Sequence, residues 1–151
     1  MNLVNNTKKF LPANEQSRIS RSVLDWFNEC PIKPVQAIGF EYLDADETGM
    51  ALSTIQGAYK VKEHITGTYE ARYQFCLIYR IQPNGDNDRL KADEVLDGIA
   101  DWAASRLDMP LLGPGMTVES IEPDSKSALL ARYKGGSEDH QILMTMNYSV
   151  E

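Results

Sequence analysis

The clearest pattern of hydrophobic and polar positions lies in residues 68–82, TYEARYQFCLIYRIQ, which alternate almost without a break. One face carries Tyr69, Ala71, Tyr73, Phe75, Leu77, Tyr79 and Ile81, and the other carries Glu70, Arg72, Gln74, Arg80 and Gln82, interrupted by Cys76 and Ile78. A period of two residues predicts a β-strand. At ~3.3 Å per residue this strand would span roughly 45 Å, which is longer than a typical strand of about 17–20 Å.

A polar segment, YKVKEHITGTY, leads into this strand and predicts a hairpin. Thr66 and Gly67 provide the turn, and the long strand forms the return. Upstream, VQAIGFEYL alternates Ile38, Phe40 and Tyr42 and predicts a strand. DADETG predicts a turn, and MALSTI predicts a second short strand that ends before Gly57.

Two segments have the period of a helix. In residues 15–29, Ile19, Val23 and Phe27 recur every four residues, with Leu24 and Trp26 beside them. Asn14 or Ser17 provides a cap, and Pro31 and Pro34 end the helix. Asp86 or Asp88 provides the cap of the second helix, and its apolar stripe is Val95, Ile99 and Trp102, flanked by Ala92, Leu96 and Ala103.

The last 36 residues predict a three-stranded meander of TVESIEP, SALLARYK and DHQILMTMNYSV, with KGGSED as the final turn. In the third strand one face carries His140, Ile142, Met144, Met146, Tyr148 and Val150. The order of elements predicts an α+β fold, in which two main helices pack on an antiparallel or mixed β-sheet. We expect residues 1–13 to form a mobile N-terminal arm and residues 14–151 to form a single domain.

Composition narrows the class of protein. The chain has 151 residues, of which 42% are hydrophobic and 25% charged, as in an ordinary globular domain. No apolar run approaches the ~20 residues of a membrane span, and the N-terminus lacks the apolar core of a signal peptide. We therefore expect a cytoplasmic protein without a membrane partner. Cys30 and Cys76 are too few for a disulfide scaffold and are expected to be reduced and in or near the core.

The net charge is −7, which disfavours sequence-independent DNA binding. Residues 1–34 hold five basic and three acidic side chains, whereas each later part of the chain is net acidic. On the second helix, the face opposite the apolar stripe is acidic and consists of Asp93, Glu94, Asp97 and Asp101.

Motifs for catalysis or metal binding are weak. The sequence contains no P-loop, GxGxxG or GxSxG motif. His64 with Glu63 could contribute to a metal site, but ligand spacing is absent, and His140 is expected at a strand edge beside the KGGSED turn. The acids of DADETG, Asp44, Asp46 and Glu47, fit a turn better than a Ca²⁺ or Mg²⁺ site. We predict no catalytic, cofactor or metal-binding residue, and we expect Trp26 and Trp102 to pack in the core.

Four stretches together resemble a known family: VLDWFNECP, TYEARYQFCLIYRI, GIADWAAS followed by MPLLGPG, and ALLARYKGGSEDHQILMTMNY. In this order and spacing, the chain resembles the tail terminator proteins (minor capsid or tail completion proteins) of long-tailed phages and prophages of Gram-positive bacteria. The likeness covers the chain from about residue 17 onward. Residues 1–13 have no counterpart in the family pattern.

The resemblance implies a structural virion protein without enzymatic activity and without a cofactor. Such proteins form a ring, usually of six subunits, that caps the tail tube, ends its polymerisation and joins it to the head connector. The implied partners are other copies of the chain, the tail tube protein and the head–tail connector protein, and DNA passes through the lumen without specific binding. The implied location is the host cytoplasm during assembly and then the virion tail.

Three alternatives stay open. The chain could be a neighbouring head–tail joining protein, a small enzyme, or a ligand-binding domain with a pocket of Tyr59, Tyr69 and Trp102. For a ring, we expect the hairpin of residues 59–72 to project beyond the core and contact a neighbour. The interface candidates are Tyr59, Lys60, Lys62, Glu63, His64, Tyr69, Glu70 and Arg72. The candidates for acids lining the lumen are Asp93, Glu94, Asp97 and Asp101.

Overall fold

The computed structural model describes residues 9–151, which form two helices and one β-sheet. In chain order the elements are β1 (Lys9–Phe10), α1 (Ala13–Phe27), β2 (Gly39–Phe40), β3 (Gly49–Glu63), β4 (Tyr69–Ile81), α2 (Asp86–Ser105), β5 (Met116–Pro123), β6 (Ala128–Arg132) and β7 (Glu138–Val150). The predicted α+β class is confirmed.

The sheet has the order β1-β3-β4-β7-β5. β2 joins the outer edge of β3, and β6 joins β7. All pairs are antiparallel except the two-residue pairing of β2 with β3, so the sheet is mixed. β4 and β7 pair along their whole length, from Tyr69 opposite Val150 to Ile81 opposite Glu138.

The core lies between the two helices and one face of the sheet. The alternating residues of β4 that the sequence placed on one face are mostly buried, as are those of β7 from His140 to Tyr148. Phe27 of α1 packs on Phe75 with ring centroids 5.6 Å apart, and Trp26 packs on Trp102 of α2 at 4.7 Å. The predicted core positions of both tryptophans are therefore confirmed, although Trp102 is only partly buried.

β3 is one strand of 15 residues rather than a short strand that ends before Gly57. Its register with β4 shifts between Thr54 and Gly57, which indicates a β-bulge. Gly57 has φ = 68°, a conformation that glycine adopts without strain. The sequence prediction was wrong here because a glycine at a bulge bends a strand without ending it. The hairpin turn is confirmed, with Gly67 at φ = 93°.

The predicted strand VQAIGFEYL is reduced to Gly39–Phe40. Glu41 takes the left-handed conformation with φ = 54°, which breaks the alternation. Ile38 is buried while Phe40 and Tyr42 are exposed, although the sequence placed the three on one face. The DADETG turn is confirmed by the backbone turn at residues 45–47.

The C-terminal strands do not form a meander. β5 pairs with residues 144–150 of β7, and β6 pairs with residues 138–141 of the same edge of β7. β5 and β6 therefore lie end to end as two parts of one edge, separated by residues 124–127. The KGGSED hairpin is confirmed, because Tyr133 N–H donates to the Ser137 carbonyl oxygen at 2.9 Å.

Two predicted boundaries change. Residues 9–13, which the sequence placed in the arm, form β1 and the beginning of α1, and Leu11 is buried. The rest of the predicted arm lies outside the described residues.

The predicted helix caps were also wrong: the residues at the N-caps are Pro12 and Gly85, and neither makes a side-chain cap. The carboxylate of Asp88 instead accepts the backbone N–H of Asn84 at 2.9 Å.

Candidate assembly surfaces

The hairpin of β3 and β4 does not leave the domain as an arm. The part of β4 from Tyr69 to Arg72 pairs with β7, and on the other side Lys60 pairs with Lys9 of β1. Only the turn of residues 64–68 extends past the last paired residues, Glu63 and Tyr69. The prediction that residues 59–72 project beyond the core is therefore wrong for the paired strands. The turn does extend past them, and its Ile65 is fully exposed.

The eight interface candidates of the hairpin lie in different surroundings. Tyr59 is buried and its hydroxyl donates to Gln74 Oε1 at 2.9 Å. Lys60 lies over the ring of Tyr69 at 4.6 Å and, with Lys9, forms ion pairs with Glu63. His64 lies 3.5 Å from Glu70, and Arg72 donates to Asn147 Oδ1 at 3.2 Å. Among residues 9–151, Lys62 is the exposed candidate whose side chain makes no hydrogen bond or ion pair.

The predicted ligand pocket of Tyr59, Tyr69 and Trp102 is not formed. Tyr59 is paired with Arg72 and contacts Gln74, so it lies on the face of the sheet away from the helices. Tyr69 packs against the core on the opposite face, and Trp102 packs on Trp26. The three rings therefore do not line one pocket.

An open recess lies on the outer edge of β3 between β1 and β2. It has a volume of about 890 Å³ and is lined by Phe10, Gln16, Ser17, Ser20, Arg21, Phe40, Thr54, Ile55, Gln56 and Gly57. We call these residues the β3 groove. Three of its apolar side chains are well exposed: Phe10 by 55%, Ile55 by 48% and Phe40 by 38%.

Side chains fix both ends of the β3 groove. The Gln16 amide donates to the Ala58 carbonyl oxygen at 2.6 Å and accepts from its N–H at 2.7 Å, as a neighbouring strand would. At the other end, the Glu41 carboxylate accepts hydrogen bonds from Ser53 and from the N–H and hydroxyl of Thr54. Polar side chains therefore cover the edge on both sides of the bulge and leave the apolar part between them open.

A second exposed apolar surface is the segment that joins α2 to β5. Leu107 is 99% exposed and Leu111 is 92% exposed, whereas Leu112 is buried. Trp26 Nε1 donates to the Asp108 carbonyl oxygen at 2.9 Å, and Arg106 pairs with the Asp108 carboxylate at 2.6 Å. We call residues 106–112 the leucine loop. Its buried anchors hold the two exposed leucines in place.

The four acids that the sequence placed on one face of α2 divide into two pairs. Asp93 accepts the Ser127 hydroxyl at 2.5 Å, and Asp97 accepts the Ser127 N–H at 2.8 Å. Glu94 and Asp101 are exposed. The uniform acidic face that the sequence suggested is therefore reduced to these two residues, because Asp93 and Asp97 bind the connection between β5 and β6.

Sequence reasoning missed a buried cluster of charges at the start of β7. Glu138, Asp139 and His140 are each no more than 3% exposed. Arg89 Nε donates to both oxygens of Glu138, at 3.0 and 2.9 Å, and the two ring nitrogens of His140 lie 2.9 Å from Asp93 and 3.3 Å from Glu138. The prediction that His140 lies at a strand edge is therefore wrong, since β7 lies between β4 and β6 there.

Asp139 lies on the other face and pairs with Arg80, whose Nε and a terminal nitrogen donate at 2.7 and 2.9 Å. Burial opposes ionisation of Asp139, but the hydrogen bonds from Arg80 and Tyr133 outweigh it and hold its pKa below the usual value. The balance is the same for Glu138: burial opposes ionisation, and the bonds from Arg89 and His140 lower the pKa. In the sequence, the signal for this cluster is the run of charged residues directly after the GGS turn.

The cluster does not form a serine-type catalytic arrangement. Such an arrangement needs a hydroxyl that donates to histidine, whereas the Ser127 hydroxyl donates to Asp93. Its bonds join α2 to β7 and to the connection between β5 and β6. Among residues 9–151, no group of three or more His, Cys, Asp or Glu side chains is arranged to hold a metal ion. Cys30 and Cys76 are free and buried, as predicted.

Comparison with known proteins adds no further assignment: no protein-family model matches this chain, and no curated protein matches it. Neither helix of residues 9–151 is long and apolar enough to cross a lipid bilayer. The helices and strands described above establish the fold class as α+β. The resemblance to tail terminators stays a prediction.

Proposed function

We propose that this protein is a structural subunit that assembles into a closed ring and acts as a tail terminator of a long-tailed phage or prophage. In this role the ring caps the tail tube, ends its polymerisation and joins it to the head connector. The order of motifs described above supports the family, and the geometry of the sheet supports the mode of assembly.

One observation carries the proposal: the two edges of the sheet differ, and each leaves part of its length without a neighbouring strand among residues 9–151. The outer edge of β3 holds the apolar β3 groove, and the opposite edge is formed by β5 and β6, which among residues 9–151 pair only with β7. A ring with cyclic symmetry requires contacts between two different patches on opposite sides of each subunit. A subunit with unlike edges meets this requirement, whereas a two-fold dimer would need only one self-complementary patch.

The charge of the chain is consistent with passage of DNA through the ring. With a net charge of −7, a lumen lined by acids would repel phosphates and let DNA slide. Glu94 and Asp101 are the residues of α2 that we propose for the lumen, because Asp93 and Asp97 are bound to Ser127. A ring whose lumen is lined by lysine and arginine would reject this assignment.

Native mass spectrometry and electron microscopy of the purified chain, alone and with tail-tube ends, test the proposal. We expect a ring at one end of each tube, and tubes assembled in its presence should stop growing. A chain that stays monomeric and binds no tube end would refute it. Binding to a head connector without binding to tubes would instead identify a neighbouring head–tail joining protein.

A second candidate is a ligand-binding domain that uses the β3 groove. Its volume of about 890 Å³ lies within the range of ligand pockets, and Arg21 is the charged residue in its lining. Such a site would suit an apolar molecule that carries an acidic group. Thermal-shift assays with fatty acids and aromatic carboxylates test this candidate, and a shift that Arg21→Gln abolishes would favour it over assembly.

A further inference from the structure

We infer that the leucine loop of one subunit inserts into the β3 groove of the next subunit, and that this is the head-to-tail contact of the ring. The inference rests on the proposed self-assembly and names its two surfaces and its partner, a second copy of this chain.

The two surfaces match in polarity. The β3 groove is a recess with three exposed apolar side chains, whereas the leucine loop presents two almost fully exposed leucines. Exposed apolar patches of this kind mark interaction sites. The loop is already held by the hydrogen bond from Trp26 to Asp108 and by buried Leu112, so that little conformational entropy is lost on docking.

The two surfaces also match in charge. Arg21 is the charged residue in the lining of the β3 groove. The surface beside the leucine loop is lined by Ser22, Asp25, Trp26, Glu29, Asp108, Met109, Pro110 and Leu111, and its three charged residues are all acidic. Asp108 is already paired with Arg106 of the leucine loop, so Asp25 and Glu29 are the acids that insertion of the loop would bring toward Arg21, which favours this pairing over contact between two grooves or two loops.

Their placement suits a chain of subunits rather than a closed pair. Ser17 and Arg21 of α1 line the β3 groove, whereas Ser22, Trp26 and Glu29 lie beside the leucine loop. At 100° per residue, Ser17 and Arg21 point roughly 140° away from Ser22 and Trp26 of α1, and Asp25, one turn after Arg21, lies between them, so the two surfaces lie on different sides of the helix. A subunit can therefore bind one neighbour with each side at the same time, as a ring requires.

Two single variants test the contact: Ile55→Asp in the β3 groove and Leu111→Asp in the leucine loop. Each alone should lose all oligomers in native mass spectrometry at concentrations where the unmodified chain forms rings. Mixed in equal amounts, they should form a heterodimer and nothing larger, because one intact groove can still accept one intact loop. Leu90→Asp, an exposed leucine of α2 outside both surfaces, serves as the control and should form rings normally.

Crosslinking keeps the test independent of the folding of these variants. A chain carrying Ile55→Cys and Leu111→Cys should give a ladder of covalent oligomers with a short bis-maleimide, since both native cysteines are buried. The single variants should give no ladder beyond dimers. A crosslink within one chain between Ile55→Cys and Leu3→Cys, with no ladder, would show that the N-terminal residues fill the groove and would overturn the inference.

The outcomes separate this inference from the proposed function. Rings at tube ends that survive both aspartate variants would overturn the loop–groove contact and leave the terminator role intact. A heterodimer of the two variants, together with an unmodified chain that forms rings but binds no tube end, would support the contact and refute the terminator role. Monomers in the mixture, when the unmodified chain forms rings, would also overturn the contact.

Discussion

Replacement of Arg80 by methionine removes the cation that pairs with buried Asp139. In the folded chain the Arg80 side chain is 14% exposed and that of Asp139 is 4% exposed, with two hydrogen bonds of 2.7 and 2.9 Å between them. Loss of one partner leaves an uncompensated buried charge, which typically costs 3–5 kcal/mol. We expect Arg80→Met to lower the free energy of unfolding by about 3 kcal/mol at pH 7, a large part of the ~5–15 kcal/mol of a typical domain.

The loss of stability in Arg80→Met should change with pH in a definite direction. In the unmodified chain the pKa of Asp139 is lowered on folding, so its stabilising contribution is complete above the unfolded value of 3.8 and is lost as the pH falls through the lower folded value. Without Arg80, burial favours the neutral acid, and protonation relieves the penalty. The difference between the two chains should therefore shrink as the pH is lowered from 7 toward 3.

Urea unfolding followed by the fluorescence of Trp26 and Trp102 measures these free energies. Arg132→Met is the matched control, because its side chain is 64% exposed and 3.3 Å from Glu138, and it should cost less than about 1 kcal/mol. The double variant Arg80→Met with Asp139→Asn removes the buried charge and keeps an acceptor for Tyr133, so it should be more stable than Arg80→Met alone. Equal losses for Arg80→Met and Arg132→Met, or no recovery in the double variant, would refute the reasoning.

Three further predictions concern stability and use the same urea assay. Gly57→Ala should cost about 1–3 kcal/mol, because φ is 68° and the added Cβ would lie 2.7 Å from Gln16 Oε1. Gly98→Ala should stabilise α2 by about 0.5–1 kcal/mol, since its nearest neighbour, Ile32 Cδ1, would lie at an ordinary 3.5 Å. The same sign for both glycine variants would contradict this account. Ser20→Ala should cost about 1–2 kcal/mol, because it removes the 2.8 Å bond to the buried hydroxyl of Tyr73, and exposed Ser17→Ala should cost clearly less.

The parts of the fold that sequence predicted correctly depend on local periodicity. The alternation in β4 and β7 and the helical period around Ile19 and Ile99 mark buried faces directly, and Gly67 marks the hairpin turn. The parts that it missed depend on partners far along the chain. Gln16 pairs with Ala58 across 42 residues and so stabilises a bulge that local chemistry alone marks as a strand end.

The candidate surfaces were harder to predict than the fold. The length of β4 alone points to a projecting hairpin and hence to its eight residues, but β7 is equally long and pairs with all of β4. Leu107 and Leu111 sit in a loop where apolar residues give no periodic signal, and only their exposure distinguishes them from buried Leu112. Likewise, Asp93 and Asp97 could not be separated from Glu94 and Asp101 without knowing where Ser127 lies.

The position of β7 has a consequence for how the chain folds during synthesis. Among the strands of residues 9–151, β7 is made last, yet it pairs with β4, β5 and β6 and joins the two halves of the sheet. Until residues 138–150 have left the ribosome, the 13 residues of β4 present an unpaired edge next to exposed core side chains. Such an edge is prone to pair with other nascent chains. A chain that ends after α2 would therefore tend to aggregate. The subunit resists this aggregation only once β7 has been translated.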